Sequence, residues 1–516
     1  MHPTAEAALA GMPLLAILVI MLGFRWSAAR AGVIGLLVTI VVAWWGFGFG
    51  RGVYGEIGRL HATAGAVAEA VFTAATILWI LLAALGIHHL QLQTGAVDSV
   101  KRTLASLTQD PRIAGLLIFW FFALFVEGLA GFGTPVALTA PLLVSLGFRP
   151  VDAVALALIG HSVGVSFGAV GTPILPQIAS TGLDGLALAR ATGLYHALLG
   201  WIMLAIAMAM ATTALKDGQD ARRSVWGWTA LAAACFLLPY FVISRWIGPE
   251  LPTLGGALFG GLGFVALLRL AGPKDGAAAG VSAESAHGDT PSLVRATAPY
   301  WVLVSLILLT RLVDPVRDVL RSFAWEWVLL DGFRGRIEFL YHPGTMLFLG
   351  FVLGSLAQGA SWAQMRTAMA QALRQLGPVT VALIAMLSLS RIMIHAGMID
   401  RLSAASARAA GDLWPLLSPM VGVLGTFVTG SATASNILFT DFQQIVARDL
   451  GLPVLAMIGA QGFGAAVGNI VCPHNIIAGG ATVGLAGQEG KILGRTVVAC
   501  AVYAALGGLV AWWLSR

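Results

Sequence analysis

Apolar stretches long enough to cross a membrane recur along almost the whole chain. A spanning helix needs about 20 mostly apolar residues, and such runs occur at 9–24, 29–50, 64–87, 113–126, 190–212, 226–244, 251–270, 295–311, 344–357, 377–394, 413–428, 453–472 and 493–514. Hydrophobic residues make up 58% of the chain and charged residues only 10%, unlike a soluble globular domain. The sequence therefore predicts an all-α polytopic membrane protein, embedded in a lipid bilayer, with roughly 12 to 14 membrane segments.

Charge and cysteine content exclude several other classes of function. The formal net charge is +6, but the basic residues fall in short loops, for example Arg25 and Arg30, where they determine membrane topology and do not form a nucleic-acid site. Cys235, Cys472 and Cys500 lie inside apolar segments without disulfide or zinc-ligand spacing. We therefore expect no cofactor, no metal and no nucleic-acid partner.

The chain contains an internal repeat. FVEG at 125–128 returns as FVTG at 427–430, and QTGAVD at 93–98 returns as HAGMID at 395–400, both with an offset of 302 residues. Downstream, GAVGTP at 168–173 matches GNIVCP at 468–473. Matches in the same order and with nearly constant spacing indicate two homologous halves.

A polar stretch separates these halves. Residues 272–292 form the only long segment rich in glycine, alanine and polar residues, which is typical of a linker. The predicted organisation is a first half at 1–271, a linker loop at 272–292 and a second half at 293–516.

Glycine and proline interrupt the apolar helices at matching points of the two halves. Gly128, Gly131, Gly133 and Pro135 fall in the first half, and GSATASN at 430–436 occupies the same place in the second. Broken or re-entrant helices that meet near the bilayer midplane are typical of secondary transporters built from two inverted repeats. The N–H groups of each half-helix that follows a break can then face a bound anion. Close packing of small residues is the alternative explanation for these glycines.

Polar groups at and near the breaks are the candidate binding residues for a small anion. They offer backbone N–H groups, hydroxyls, amides or a positive charge. They are Gly131, Gly133, Thr134, His161, Arg391, Ser431, Thr433, Ser435, Asn436 and Gln461, where Gln461 is the repeat mate of His161. His474 and Asn475 follow Pro473 and are expected to cap the next broken element.

Ionisable side chains inside apolar segments cost at least about 2.5–3.5 kcal/mol each and therefore need a partner or a function. Glu127 stands at the first break, where burial disfavours the charged carboxylate, so we expect it to exchange the coupling proton near neutral pH. His161 is the second candidate for proton coupling, because an unperturbed imidazole titrates near about pH 6.5. A structural hydrogen bond for Glu127 and a satisfied buried histidine remain alternatives.

Arg391 follows a long apolar run and is the repeat mate of His89. A guanidinium is a planar fork that suits bidentate binding of a carboxylate. The alternative is a side chain that extends to the membrane interface. We expect Arg391 to reach the polar cavity and pair with the substrate.

With these motifs in view, the chain resembles the lactate permease family, the proton-coupled lactate and glycolate carriers usually grouped with the ion transporter superfamily. The resemblance covers most of the chain. It is carried by FVEGLAGFGTPVALTAPLLVSLGF (125–148), ALIGHSVGVSFGAVGTPIL (157–175), IGPELP (247–252), YHPG (341–344), LSRIMIHAGM (389–398), GSATASNILF (430–439) and PHNIIAGGATVGLAGQEG (473–490). The resemblance implies a carrier in the bacterial inner membrane that moves a small 2-hydroxy monocarboxylate together with a proton by alternating access.

The match to the family pattern is incomplete at the breaks. The pattern has an aspartate where this chain has Ala432 and a lysine where it has Asn469, with Cys472 and His474 in place of serine and glutamine. An Asn-Thr pair of the pattern is His161–Ser162 here, and a proline is Gly164. The resemblance adds Ser162 and Asn469 to the candidate substrate-binding residues. Joint loss of an acid and a base suggests that the two formed a pair.

Several alternatives stay open at this point. The substrate can be another small organic anion, a carboxylate or a sulfonate, and sodium can replace the proton as coupling ion. A membrane-embedded enzyme using His88, His89 or His161 is a remote alternative, since no nucleophile or metalloprotease motif occurs, and we expect no enzymatic activity. The sequence does not indicate the oligomeric state.

Overall fold

The structure is a computed structural model and is almost entirely helical. It describes residues 3–516 except 23, 25, 52–56, 98, 100–106, 109, 132, 215–224, 272–291, 331 and 486–487. The linker predicted at 272–292 therefore lies almost wholly outside the described residues, and the division into 1–271 and 293–516 stays a prediction.

The first part of the chain forms ten described helices of seven residues or more. They are α1 (Pro3–Leu22), α2 (Ala28–Gly46), α3 (Arg59–Gln93), α4 (Pro111–Leu129), α5 (Thr134–Ser145), α6 (Pro150–His161), α7 (Leu175–Thr181), α8 (Gly185–Ala214), α9 (Trp226–Trp246) and α10 (Pro252–Ala271). Helix α4 contains a π-helical stretch at Leu117–Phe122. Two 3-10 helices, Ser162–Phe167 and Thr172–Ile174, flank a short turn at Gly168–Gly171 between α6 and α7.

The second part adds ten more described helices and one hairpin. After a short turn at Leu293–Ala296 come α11 (Ala298–Leu312), α12 (Asp314–Ser322), β1 (Ala324–Leu329), β2 (Phe333–Glu338), α13 (Pro343–Gln358), α14 (Trp362–His395), α15 (Met398–Ala410), a 3-10 turn (Gly411–Leu413), α16 (Trp414–Thr429), α17 (Ala432–Asp449), α18 (Val454–Gly468), α19 (Pro473–Thr482) and α20 (Glu489–Leu514).

Nine described segments are long and apolar enough to cross a membrane, or up to eleven if each of two bent pairs counts as one span. Two of the nine, Pro150–Thr181 and Val454–Thr482, run through a break and each include two of the helices given above. The chain is therefore an integral membrane protein, as predicted. Three shorter apolar helices lie at Thr4–Ile17, Thr134–Ser145 and Pro343–Gln358. Within the described residues the expected 12 to 14 segments are reached only when these short helices are counted too, because breaks divide several apolar stretches.

The first break lies where glycine and proline predicted it. Helix α4 begins at Pro111, where the side chain of Asp110 accepts a hydrogen bond from the N–H of Arg112 at 2.9 Å. It ends at Leu129, and Gly131 and Gly133 then adopt φ of 55° and 78°, which a side chain disfavours. Helix α5 resumes at Thr134, so a half-helix follows the break.

The second break is narrower than predicted. Helix α16 ends at Thr429, Gly430 has φ 78° and Ser431 is extended. Helix α17 already begins at Ala432, with the Ser431 hydroxyl accepting a bond from the N–H of Ala434 at 3.4 Å. Residues 432–436 are therefore helical, because this N-cap starts the helix directly after one left-handed glycine.

A further break follows α6. Ala169 and Val170 have φ of 43° and 55°, in the left-handed region, and Gly171 has φ 79°. This conformation costs about 1–2 kcal/mol for an ordinary residue and is exceptional for a β-branched one. Strained backbone of this kind is concentrated at functional sites, and no glycine pattern predicted it at Ala169 and Val170.

Helices α3 and α14 cross, and two of the contacts between them join residues that correspond at the 302-residue offset of the repeat. His395 Nε2 lies 2.8 Å from Glu69 Oε2, and Gln93 Nε2 donates to Gln371 Oε1 at 2.9 Å. Gln371 stands 302 residues after Glu69, and His395 stands 302 residues after Gln93. Exchanging the two halves therefore converts one contact into the other, as expected for helices related by a pseudo-twofold axis.

Two groups of helices are recognisable around this crossing. Helices α2, α3 and α13 pack on α14 or on one another, and α1 and α11 pack against α2 and α13, while α16, α17, α18 and α20 pack together with the elements around the breaks. The two groups meet where α14 contacts α17 and where α3 contacts α7. This interface places the breaks beside the α3–α14 crossing.

The antiparallel hairpin β1–β2 covers one end of that crossing. Its strands pair from Ala324 with Glu338 to Leu329 with Phe333. The ring of Phe333 is fully buried where Gly65 leaves room for it, and the N–H of Arg334 donates to Glu69 Oε1 at 3.0 Å.

Candidate functional site

The breaks of both halves line one cavity, which holds about 350 Å³ of space unoccupied by protein atoms, its mouth included. Each repeat contributes two broken segments, and all four reach the cavity wall. The described lining residues are Glu127, Gly131, Gly133, Val165, Gly168, Ala169, Thr172, Pro173, Gly430, Ser431, Ala432, Thr433, Asn469 and Asn475. The segments matched by the repeat in sequence are therefore neighbours in space.

Helix N-termini converge on this cavity. Helices α5, α17 and α19 begin beside it, at Thr134, Ala432 and Pro473, and the 3-10 helix that leads into α7 begins at Thr172. The first N–H groups of a helix have no intrahelical acceptor, and the helix dipole adds partial positive charge there. The cavity therefore favours a bound anion, even though no lysine or arginine occurs among its described lining residues.

Glu127 is the single ionisable side chain in the described lining, and it is 3% exposed. Its Oε2 atom has no hydrogen-bond partner among the described residues. His161 Nε2 lies 3.9 Å from this oxygen and is likewise without a hydrogen bond. His161 is fully buried and is not among the described lining residues, so of this pair Glu127 is the one that reaches the cavity wall.

The tautomer of His161 follows from its other nitrogen. Nδ1 lies 2.6 Å from the carbonyl oxygen of Ala157, which can only accept, so Nδ1 carries the hydrogen. Nε2 is then free to accept a proton from Glu127. A proton held by this pair has two possible positions, and one of them faces the cavity.

Gly168 makes room for the Glu127 carboxylate. A Cβ atom added at Gly168 would overlap Glu127 Oε1, and one at Gly131 would lie 3.4 Å from the same oxygen. The backbone of the break after α6, at Gly168, thus packs directly against the carboxylate of Glu127, which precedes the break after α4. This contact fixes the carboxylate at the cavity wall.

Several predicted residues lie one layer behind the cavity. Asn436 Nδ2 donates to the carbonyl oxygen of Pro173 at 2.9 Å, and Gln461 Nε2 lies 3.3 Å from Asn436 Oδ1 and 3.2 Å from Ser435 Oγ. Pro173 itself lines the cavity. These amides therefore position the broken segment at 171–173, while Thr134 starts α5 and Ser162 bonds the carbonyl of Ile159 at 2.7 Å.

Arg391 lies away from the cavity. Its Nη2 atom donates to the carbonyl oxygen of Ala179 in α7 at 3.0 Å. Its repeat mate His89 contacts Gln375 Oε1 through Nε2 at 3.0 Å. In this arrangement neither Arg391 nor His89 is among the described lining residues, and Arg391 connects α14 to α7.

The structure also brings in residues that were not among the candidates. Val165, Gly168, Ala169, Thr172 and Pro173 line the cavity together with Asn475. The match of GAVGTP with GNIVCP was the sequence signal for Gly168, Ala169, Thr172 and Pro173, whereas Val165 lies outside that motif. For Asn475 the signal was its place after Pro473, and its Oδ1 atom is buried without a hydrogen-bond partner among the described residues.

Fold and site together define a polytopic membrane transport protein whose broken helices enclose an anion-favouring cavity. A family model for L-lactate permease matches residues 6–334 and 335–516. The chain belongs to the L-lactate permease family. It is therefore a transporter of a small carboxylate and not an enzyme, located in the bacterial inner membrane.

The chain is similar to curated permeases along most of its length. The L-lactate permease of Streptococcus iniae is 29% identical over 454 residues, covering 87% of this chain and 92% of that protein. The glycolate permease GlcA of Escherichia coli K12 is 27% identical over 545 residues, covering 98% and 95%. Among solved structures, that of Neisseria gonorrhoeae MtrF, described with a class of antimetabolite efflux pumps, has a TM-score of 0.49 and 15% identity over 94% of both chains.

Proposed function

We propose that this chain is a proton symporter for a small 2-hydroxy monocarboxylate of the lactate and glycolate type, and that it works by alternating access. The observation that carries the proposal is the pairing, in one cavity, of converging helix N-termini with a single buried acid, Glu127. Relatives named for lactate and for glycolate transport support the substrate class.

Coupling follows from charge balance in the cavity. The helix N-termini attract the substrate carboxylate, whereas a charged Glu127 beside it repels an anion. When Glu127 carries a proton, binding of one anion leaves the cavity with the same single negative charge that ionised Glu127 gives the empty cavity. Proton and anion then bind together and leave together, and the transported pair is electroneutral.

The remaining polar groups suit a 2-hydroxy acid. Ser431, Thr433 and Thr172 bring hydroxyls to the cavity, and Asn469 and Asn475 bring amides. Such groups both donate and accept, so they can bind the 2-hydroxyl while the N-termini bind the carboxylate. Leaving a buried donor or acceptor unpaired costs about 1–3 kcal/mol, which favours substrates that carry the hydroxyl.

Radiolabelled uptake into proteoliposomes tests the proposal. Lactate, glycolate, pyruvate and a small sulfonate are offered under an imposed proton gradient or an imposed sodium gradient. The proposal expects saturable, proton-driven accumulation of the 2-hydroxy acids. Accumulation driven by sodium alone, or preference for the sulfonate, contradicts it.

The variant Glu127→Gln tests the coupling step. A glutamine resembles the protonated acid, so we expect the loss of proton-driven accumulation with retention of substrate-for-substrate exchange, which needs no net proton movement. The matched control is Glu326→Gln, an exposed acid of the hairpin paired with Arg336. If Glu127→Gln still concentrates lactate when only a proton gradient is imposed, Glu127 does not carry the coupling proton.

A further inference from the structure

A second group of ionisable residues, of which Glu69 and Asp441 are buried, lies outside the cavity, where α3 and α14 face α7 and α17. Glu69 comes from α3, Arg391 and His395 come from α14, and Asp441 comes from α17. Glu69 accepts from the N–H of Arg334 at 3.0 Å and contacts His395 Nε2 at 2.8 Å, so its charge is well compensated. The cavity and the coupling step described above use none of these four side chains.

Asp441 is the least compensated member of this group. It is 7% exposed, and its Oδ2 atom has no hydrogen-bond partner among the described residues. Arg391 and His395 lie within electrostatic range of it, and Ser180 of α7 faces it. In the described structure, however, the guanidinium of Arg391 binds the carbonyl of Ala179 and makes no close ion pair with Asp441. A buried carboxylate without a direct cationic partner is strongly destabilising, so a proton or a cation has to neutralise it.

Among the described residues, the other elements packed on α17 bring no further charge to Asp441. Helices α16 and α18 face α17 with uncharged polar groups, among them Ser418 and Gln461. On α15, Asp400 interacts with Asp449, two turns further along α17. Arg391, on α14 in the opposite group of helices, is therefore the cation with the largest electrostatic effect on Asp441.

Helices α17 and α7 connect this cluster to the cavity. Helix α17 begins at the cavity with Ser431 as its N-cap and reaches Asp441 about 15 Å further on, at 1.5 Å per residue. Helix α7, which holds the Ala179 carbonyl, follows the cavity-lining Pro173. A shift of either helix relative to α14 changes the distance between Asp441 and Arg391.

Charge counting gives the cluster two neutral states. Arginine stays protonated in proteins, and it balances Glu69 when Asp441 and His395 are both neutral. If Asp441 loses its proton, neutrality returns when that proton is bound by His395. Arg391 then has a carboxylate to pair with across the interface.

We propose that Asp441 is a second proton-binding group of the carrier, and that its ionisation draws Arg391 from the Ala179 carbonyl into an ion pair between α14 and α17. This inference rests on the proposed function as a proton-coupled carrier. When Asp441 releases its proton, the ion pair with Arg391 links the two groups of helices. When Asp441 binds a proton, that ion pair is lost and the two groups can move relative to each other.

Three variants and a control test the proposal in proteoliposomes: Asp441→Asn, Arg391→Gln, the double variant, and Asp449→Asn. Asp449 is an exposed aspartate on the same helix, so the control carries the same chemical change. Each protein is first checked for a monodisperse size-exclusion profile, and lactate exchange is then measured between about pH 6 and pH 8.

We expect Arg391→Gln to lower the exchange rate by at least about tenfold, because Asp441 loses a neighbouring cation. The double variant, in which the buried acid is also neutral, recovers most of that loss. Asp441→Asn alone exchanges substrate with a flattened pH profile, whereas Asp449→Asn keeps the original profile. A double variant no better than Arg391→Gln, or an unchanged profile in Asp441→Asn, overturns the proposal.

Glu127→Gln, measured in the same way, distinguishes a failure of the proposed proton coupling at Glu127 from a failure of the proposed role of Asp441 and Arg391. If Glu127→Gln still accumulates lactate from a proton gradient, the proposed coupling fails whatever the variants at Asp441 do. If it loses accumulation but the double variant shows no recovery, only the inference about Asp441 and Arg391 fails.

Discussion

Glu127 Oε2 and His161 Nε2 lie 3.9 Å apart, and each is buried without a hydrogen bond among the described residues. A movement of about 1 Å brings them within hydrogen-bonding distance. Because the Nδ1 hydrogen of His161 binds Ala157, Nε2 is the one position at which this histidine can take up a proton. The two atoms can therefore share one proton once they approach each other.

Replacing His161 should impair coupling more than binding. His161→Asn introduces the residue that the family pattern has at this position, so it tests whether coupling in this chain depends on its own histidine. The variant keeps an N–H donor for the Ala157 carbonyl but removes the acceptor at Nε2, so in this chain the proton of Glu127 loses its recipient. We expect proton-driven accumulation to fall on the order of tenfold or more, while exchange of lactate for lactate stays within about threefold of the original rate. His89→Asn is the control, since His89 contacts Gln375 away from the cavity. Equal losses of accumulation and exchange would show that His161 acts only structurally.

Gly168 should be intolerant of even one methyl group. In Gly168→Ala the new Cβ overlaps Glu127 Oε1, and relief of such overpacking costs about 1–3 kcal/mol or displaces the carboxylate from the cavity wall. Lactate uptake should therefore fall at least about tenfold in protein that still runs as a monodisperse peak. Gly494→Ala, in a helix with open space around the new Cβ, should transport normally. Normal uptake by Gly168→Ala would mean that the Glu127 position is not fixed by this contact.

The two halves should remain associated when the linker is cut. Contacts such as Glu69 with His395 and Gln93 with Gln371 join the predicted halves without the segment 272–292. We therefore expect a carrier with a protease site inserted in 272–292 to keep its uptake after complete cleavage, measured beside an uncut sample. Dissociation of the fragments in mild detergent, with loss of uptake, contradicts the division at this segment.

Local features of the site could be predicted from the sequence because they depend on backbone preferences. Glycine at Gly131, Gly133 and Gly430 permits left-handed backbone, and the helices stop beside each of these residues. The repeat offset further indicated that the two breaks occupy equivalent places. The meeting of the breaks at one cavity agrees with that reasoning, since residues of both line it.

Tertiary features could not be predicted in the same way. Nothing in the side chains of Ala169 and Val170 favours positive φ, so only the surrounding packing selects it. On α17, the rotation of the helix decides that Thr433 faces the cavity while Asn436 faces Pro173. Arg391 meets the carbonyl of Ala179 because of where α14 crosses α7, which no sequence spacing encodes.

Ala432 and Asn469 both line the cavity and are 5% and 6% exposed. The resemblance noted in the sequence implies an aspartate and a lysine at these two positions in the family, and the structure brings both positions to one cavity. Ala432→Asp and Asn469→Lys therefore test whether the cavity tolerates an acid only when a base is introduced with it. Ala432→Asp alone buries a carboxylate beside Glu127, an uncompensated charge that costs about 3–5 kcal/mol and repels the substrate anion. We expect its lactate uptake to be abolished.

The double variant Ala432→Asp with Asn469→Lys supplies the counter-charge and should regain a large part of the uptake, because the cavity again holds balanced charges at the two positions. Ala432→Asn is the size control, since it adds similar volume without charge, and should lose clearly less activity than Ala432→Asp. Uptake is measured with radiolabelled lactate in proteoliposomes at matched amounts of monodisperse protein. If the double variant is as inactive as Ala432→Asp, the two positions do not act as a charge pair, and neutral residues are required at both for the cavity to bind its anion.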